Sequence, residues 1–167
     1  MAWLFPYLLF VHVAGAILAF GPTFAYGVYA NMAEQDKAHL GFNNRAREAV
    51  SRRFVVPGTI LMGITGVLLI AVVGYPVLDP RSRWLQLSIL LYLGAIIWNV
   101  TITRGHQERI AAIARGMAEA RERGEPGGPP PPEMAVHIKA ATRDGKAMGV
   151  IVLVIVFLMV VKPGLGA

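Results

Sequence analysis

Four histidines carry most of the chemistry this chain could do: His12, His39, His106 and His137. An imidazole carries protons and is the commonest nitrogen ligand for a metal, one ring nitrogen donating while the other accepts or coordinates. Cysteine is absent, which excludes a disulfide framework, a thiolate metal site and covalent attachment of a c-type haem. His12 alone lies inside a charge-free stretch, since no Asp, Glu, Lys or Arg occurs from Met1 to Ala33. A polar side chain surrounded by hydrocarbon is a functional candidate by default. His39 reads as a solvated loop histidine, His106 lies just past the end of an apolar run, and His137 reads as a membrane-surface residue.

The elements that position His12 follow from the distribution of charge. The chain has 167 residues, mean hydropathy +0.53 and only 16% charged residues. Its charge-free runs are Met1–Ala33, Phe54–Leu78, Trp84–Thr103 and Ala147–Val161. Three of them meet the length of about 20 residues that a bilayer core demands. The fourth is extended by Lys146 and Lys162, whose stems can snorkel from its two ends. The expected fold is therefore all-α: a polytopic membrane protein with four transmembrane helices in a bundle and helical extensions on the cytoplasmic side. One domain covers residues 1–167, with helices at about 3–32, 54–75, 84–104 and 146–162. The first run would make a helix roughly 45–50 Å long, more than a bilayer requires. It must tilt, protrude or bend, and Pro22 is the place to bend. It lacks the basic leader and short apolar core of a signal peptide, and is expected to be retained.

Net charge is +6 and the isoelectric point is near 10.1. Thirteen of the 16 lysines and arginines fall in Lys37–Arg53 and Arg104–Lys146, the first and third loops. These loops share one side of the membrane, and the positive-inside rule makes that side cytoplasmic. The expectation is a bacterial-type cytoplasmic membrane, loops 33–53 and 105–145 inside, both termini outside. A basic loop beside anionic lipid accounts for the charge, so the bilayer is the expected partner and nucleic acid is not. Within the loops, Phe42–Arg53 reads as a helix feeding the second span. Ile110, Ile113, Met117 and Ala120 are spaced for one face of a helix continuing from the third span to about Arg123. Glu125–Glu133 is a semi-rigid Pro/Gly linker. Met134–Thr142 reads as a short amphipathic surface segment ahead of the fourth span.

From His12, steps of three or four residues reach Gly15, Ala16, Ala19, Thr23 and Tyr26, a small and mildly polar face. Such a face admits either another backbone or a flat cofactor. Helix 2 carries a matching stripe of Thr59, Gly63 and Gly66 beside Met62 and Ile70, with a kink or fresh start at Pro57. Thr65 can return its hydroxyl to a backbone carbonyl. Depth limits the haem chemistry. His12 and His106 differ in level by about 20 Å at the rise of a helix. Axial nitrogens on one iron lie only about 4 Å apart, given metal–nitrogen bonds near 2 Å. His106, His39 and His137 therefore cannot share an iron with His12. His/Met ligation survives, because Met159 lies within about a turn of the level of His12. Ser88 and Tyr92 fall in the same layer. No metalloprotease motif, phosphate-binding Gly loop or transmembrane carboxylate pair is present. The lack of an intramembrane acid argues against a proton- or cation-coupled carrier.

The stretch Leu8-Leu-Phe-Val-His12-Val-Ala-Gly-Ala resembles the first helix of HemJ-type protoporphyrinogen IX oxidases and, more loosely, of CopD-type copper-resistance membrane domains. Arg52-Arg53-Phe-Val-Val-Pro57-Gly58, the glycines of helix 2, Trp84 at the start of helix 3 and Val160-Val-Lys162-Pro163-Gly164 extend the likeness over most of the chain outside the Pro-rich linker. The same order and spacing are those of a family of small predicted four-helix integral membrane proteins. The resemblance implies porphyrin or haem as ligand, with His12 at the position of the functional histidine. HemJ-type enzymes carry an essential lysine early in helix 3 where this chain has Ser88, so the oxidase activity is not carried over.

Two functions are expected. The first is binding of haem b or porphyrin through His12, with Ser88, Tyr92 and Met159 as cofactor-binding neighbours and no assigned catalytic residue or metal ligand. The second is a non-enzymatic structural or accessory subunit, acting as a homo-oligomer or beside partner membrane subunits.

Overall fold

A computed structural model describes residues 2–35, 40–126 and 128–163, and it is helical almost throughout. His39, read above as a loop histidine, lies outside the described residues. After a 3-10 turn at Ala2–Leu4, α1 spans Phe5–Gln35 and runs unbroken through Pro22. The next helices are α2 (Leu40–Val50), α3 (Val56–Val73), α4 (Arg83–Trp98), α5 (Arg104–Glu122) and α6 (Pro132–Val161). No strand occurs among the described residues. Four helical stretches are long and apolar enough to cross a membrane: Phe5–Tyr26, Arg45–Val73, Pro80–Glu122 and Pro132–Val161.

Two of these stretches pass through π turns. Ser51–Val55 joins α2 to α3, and the N–H of Val56 donates to the Ser51 carbonyl, one residue further back than in an α-helix. Pro57 follows at the first turn of α3, where a missing N–H costs least. The expected fresh start is thus a π turn with the axis continued. Asn99–Thr103 likewise joins α4 to α5, with the N–H of Arg104 donating to Asn99. The predicted extension of helix 3 is present and ends at Gly124, whose φ of +76° suits a glycine cap.

The fourth span departs from expectation. Met134–Thr142 is not a separate surface segment, because α6 begins at Pro132 and runs 30 residues without a break. Pro132 occupies the first helical turn, and Glu133 places negative charge where the helix dipole favours it. At its far end Lys162 adopts the left-handed conformation at φ 46° and its N–H closes on the Leu158 carbonyl.

Helix α1 packs along α3 more extensively than any other pair pack. Gly15 and Gly58 mark the crossing. A Cβ on Gly58 would stand 2.7 Å from the Ala19 nitrogen and 2.9 Å from the Gly15 carbonyl, so only glycine permits this approach. The expected face of helix 1 is the one used, but Gly58 forms the crossing and Gly63 does not. Helix α6 packs on α4, α5 and α1. Helices α3 and α4, though joined by a short turn, meet along little of their length. An apolar core sits at the end of the bundle where α3 stops, α4 begins and α6 stops. There Trp84, Leu85 and Leu158 are buried among Ile70, Tyr75, Val77, Ile89, Leu91 and Met159. Asp79 caps the short turn above it, its Oδ1 accepting from the Arg81 N–H at 2.7 Å. Trp3 and Tyr7, at the start of the chain, are exposed, as interfacial aromatics are.

Candidate functional site

His12 is held by α3. Its Nδ1 lies 2.9 Å from the Met62 carbonyl oxygen and 3.3 Å from Thr65 Oγ1. A carbonyl only accepts, so Nδ1 carries the ring hydrogen and donates it. The Thr65 hydroxyl spends its own hydrogen on the Leu61 carbonyl at 2.7 Å, which leaves its oxygen as a second acceptor for Nδ1. Gly66 makes room for the ring: a Cβ there would stand 3.2 Å from His12 Cε1. Local sequence explains the arrangement, because Met62, Thr65 and Gly66 share one face of α3 at helical spacing. The first of them supplies a carbonyl, the second an oxygen and the third a gap.

The hydrogen on Nδ1 fixes the tautomer and leaves the lone pair on Nε2. Among the described residues Nε2 has no hydrogen-bond partner, and it is not one of the fully enclosed unpaired atoms. His12 as a whole is half-buried, on the apolar helix α1. An Nδ1–H···O=C bond behind a free Nε2 is the arrangement that orients a ligating imidazole.

The expected neighbours of His12 separate into different contacts. Tyr92 Oη donates to the Thr59 carbonyl at 2.8 Å and fills the notch at Gly63, about one helical turn along α3 from His12. Ser88 is 1% exposed and returns its hydroxyl to the Trp84 carbonyl at 2.7 Å. Met159 packs in the terminal core with Trp84 and Leu158. Thus His12 and Tyr92 engage successive turns of α3 from α1 and α4. Among the described residues no hydrogen bond joins His12 to Ser88 or Tyr92.

A second polar region lies between α5 and α6, the stretches expected as a helical extension past Thr103 and a surface segment at Met134–Thr142. Asp144 is completely buried. Its Oδ2 accepts from Thr103 Oγ1 and its Oδ1 from Arg143 Nη2, both at 3.4 Å. Continuity of α6 carries Asp144 inward against the π turn that ends in Thr103. Further along the same interface, His106 and His137 meet with Nδ1 atoms 3.0 Å apart. Their spacing in sequence gave no sign of this, since one ends a span and the other follows a proline linker.

These features define the class: an integral membrane protein made of one four-helix bundle, with a histidine fixed at its principal helix crossing. Residues 6–163 match the predicted integral membrane proteins of DUF2269, and the chain belongs to that family. No curated protein and no solved structure matches it.

Proposed function

We propose that the chain binds haem b or a related porphyrin in the membrane, with His12 as its ligand or contact. The observation that carries this reading is the Nδ1 bond of His12 to Met62, which leaves the Nε2 lone pair free and, among the described residues, without a hydrogen-bond partner. The residues present suit such a group in part. His12 can supply one nitrogen ligand, Thr65 and Met62 hold its ring, and Gly66 keeps the ring close to α3. Met159 packs against Trp84, Leu85 and Leu158, so the reading rests on His12 as the one ligand. Ser88 is spent on Trp84, and Tyr92 serves as a wall that fixes α4 against α3.

A bound haem would supply electron transfer or ligand exchange at iron. The chain's own part is to orient one imidazole and to surround it with hydrocarbon. The resemblance read from the sequence of helix 1 to HemJ-type oxidases favours a porphyrin over other flat ligands, and the basic loops favour placing α2 and α5 in the cytoplasm of a bacterial-type cell. Titration of the purified chain with haem tests the reading. A saturable shift of the Soret band at one haem per chain, absent in His12→Ala, is expected. A shift of equal size in both proteins rejects it.

A second reading, as a self-associating or accessory subunit, draws on Gly94. Its position on α4 is exposed, and a Cβ there would meet nothing within 4 Å. An open glycine within a span is where a further helix could approach closely. Native mass spectrometry from mild detergent distinguishes a lone chain from an assembly.

A further inference from the structure

The α5–α6 interface brings together two imidazoles that the His12 site does not use. His106 follows the π turn of the third span, and His137 lies on the part of α6 that precedes the apolar run. Their Nδ1 atoms stand 3.0 Å apart while the ring centres are 5.3 Å apart. The difference is about two ring radii, so each nitrogen points along the line of centres at the other. One hydrogen is shared between two lone pairs. Both rings are half-buried, which leaves the pair reachable from solvent. Glu133, one turn before His137, places Oε1 3.6 Å from His137 Nε2.

We propose that His106 and His137 bind a divalent metal ion of the borderline class, such as Zn2+ or Ni2+, and that the ion clamps α5 to α6. Imidazole nitrogen is the natural donor for these ions. With metal–nitrogen bonds of about 2.0–2.1 Å, two nitrogens on a tetrahedral centre lie about 3.3 Å apart. The pair needs to open by only a few tenths of an ångström, with each ring turning about its Cβ–Cγ bond so that the lone pairs converge. The hydrogen now shared moves through solvent to Nε2 of His106. This frees both Nδ1 lone pairs and leaves the charge of each ring unchanged. Glu133 then accepts from Nε2–H of His137, the carboxylate–histidine–metal order that raises ligand basicity. Water completes the coordination on the open side. Among the described residues no group of three His, Cys, Asp or Glu side chains is poised to hold an ion, so affinity rests on the two imidazoles.

Calorimetric titration of the full chain with Zn2+, after chelator treatment and in detergent, tests the proposal. One ion per chain at micromolar affinity is expected, with a rise in melting temperature through linkage. His106→Gln and His137→Gln should each weaken binding by at least about tenfold, and Glu133→Gln by about tenfold, the scale of losing a ligand or its orienting partner. His39→Gln should leave the affinity unchanged. The unmodified chain gives a readout that needs no substitution: of its four histidines, two should show the large contact shifts of rings ligated directly to Co2+. Binding only at millimolar ion, an affinity in His106→Gln and His137→Gln equal to that of the unmodified chain, or contact-shifted ligand signals from any other number of histidines would overturn it.

Discussion

The Tyr92 hydroxyl donates to the Thr59 carbonyl at 2.8 Å, and its oxygen stands 2.6 Å from where a Cβ on Gly63 would lie. One tyrosine therefore closes a gap between two helices that otherwise touch little. Gly63→Ala must expel the hydroxyl and should cost about 1–3 kcal/mol, as overpacking does. Tyr92→Phe keeps the ring and loses one hydrogen bond, about 1 kcal/mol. Both changes strike a single contact, so the double variant should lose less than the sum of the two. Denaturant unfolding followed by far-ultraviolet circular dichroism checks all three.

The α1–α3 crossing gives a sharper contrast between glycines. At Gly58 a methyl group meets backbone atoms of Ala19 and Gly15, which cannot turn aside. Gly58→Ala should lower stability by at least about 1–3 kcal/mol by levering α1 from α3. At Gly94 a methyl group meets nothing, so Gly94→Ala should raise the stability of the single chain by up to about 1 kcal/mol through helix propensity. Equal effects at the two positions would contradict the crossing described.

These contrasts show how far hydropathy carries. The four spans and the extension past Thr103 were legible because charge-free runs and helical spacing report burial in lipid directly. The small faces of helices 1 and 2 were legible for the same reason. Which small residue meets which side chain was not, since it depends on how each helix is rotated about its axis, and Gly63 went to Tyr92 from α4. The start of α6 was hidden because Arg143, Asp144 and Lys146 resemble the end of a loop. Asp144 is nevertheless helical and wholly enclosed. The His106–His137 meeting depends on that same continuity.

Asp144 should behave as an enclosed acid with few donors. Thr103→Val removes one of its two long hydrogen bonds and should cost about 1–3 kcal/mol, the penalty of an unsatisfied buried group. Asp144→Asn should recover part of that loss in the Thr103→Val background, because a neutral amide is less costly to enclose than a carboxylate. A double-mutant cycle of thermal unfolding measures the coupling.

Lys162 is the one described residue other than glycine with positive φ, and its Nζ lies 5.5 Å from the centre of the Trp84 ring. The left-handed backbone costs about 1 kcal/mol for a residue with a Cβ, and a cation over an indole returns about 0.5–1 kcal/mol. Lys162→Gly removes both and should be nearly neutral. Lys162→Ala keeps the strain and loses the cation, so it should melt below Lys162→Gly. The reverse order would show that the left-handed backbone at Lys162 carries no strain.

The central claim concerns Nε2 of His12. Gly66→Ala should press the ring away from Met62 and weaken pigment binding without touching any coordinating atom. The most direct measurement is the absorbance spectrum of the chain purified from haem-replete cells, beside His12→Ala purified in parallel. A Soret band in the native chain that is lost in His12→Ala, with helical content unchanged, is the predicted result. A colourless native chain, or a band of equal strength in His12→Ala, would contradict it.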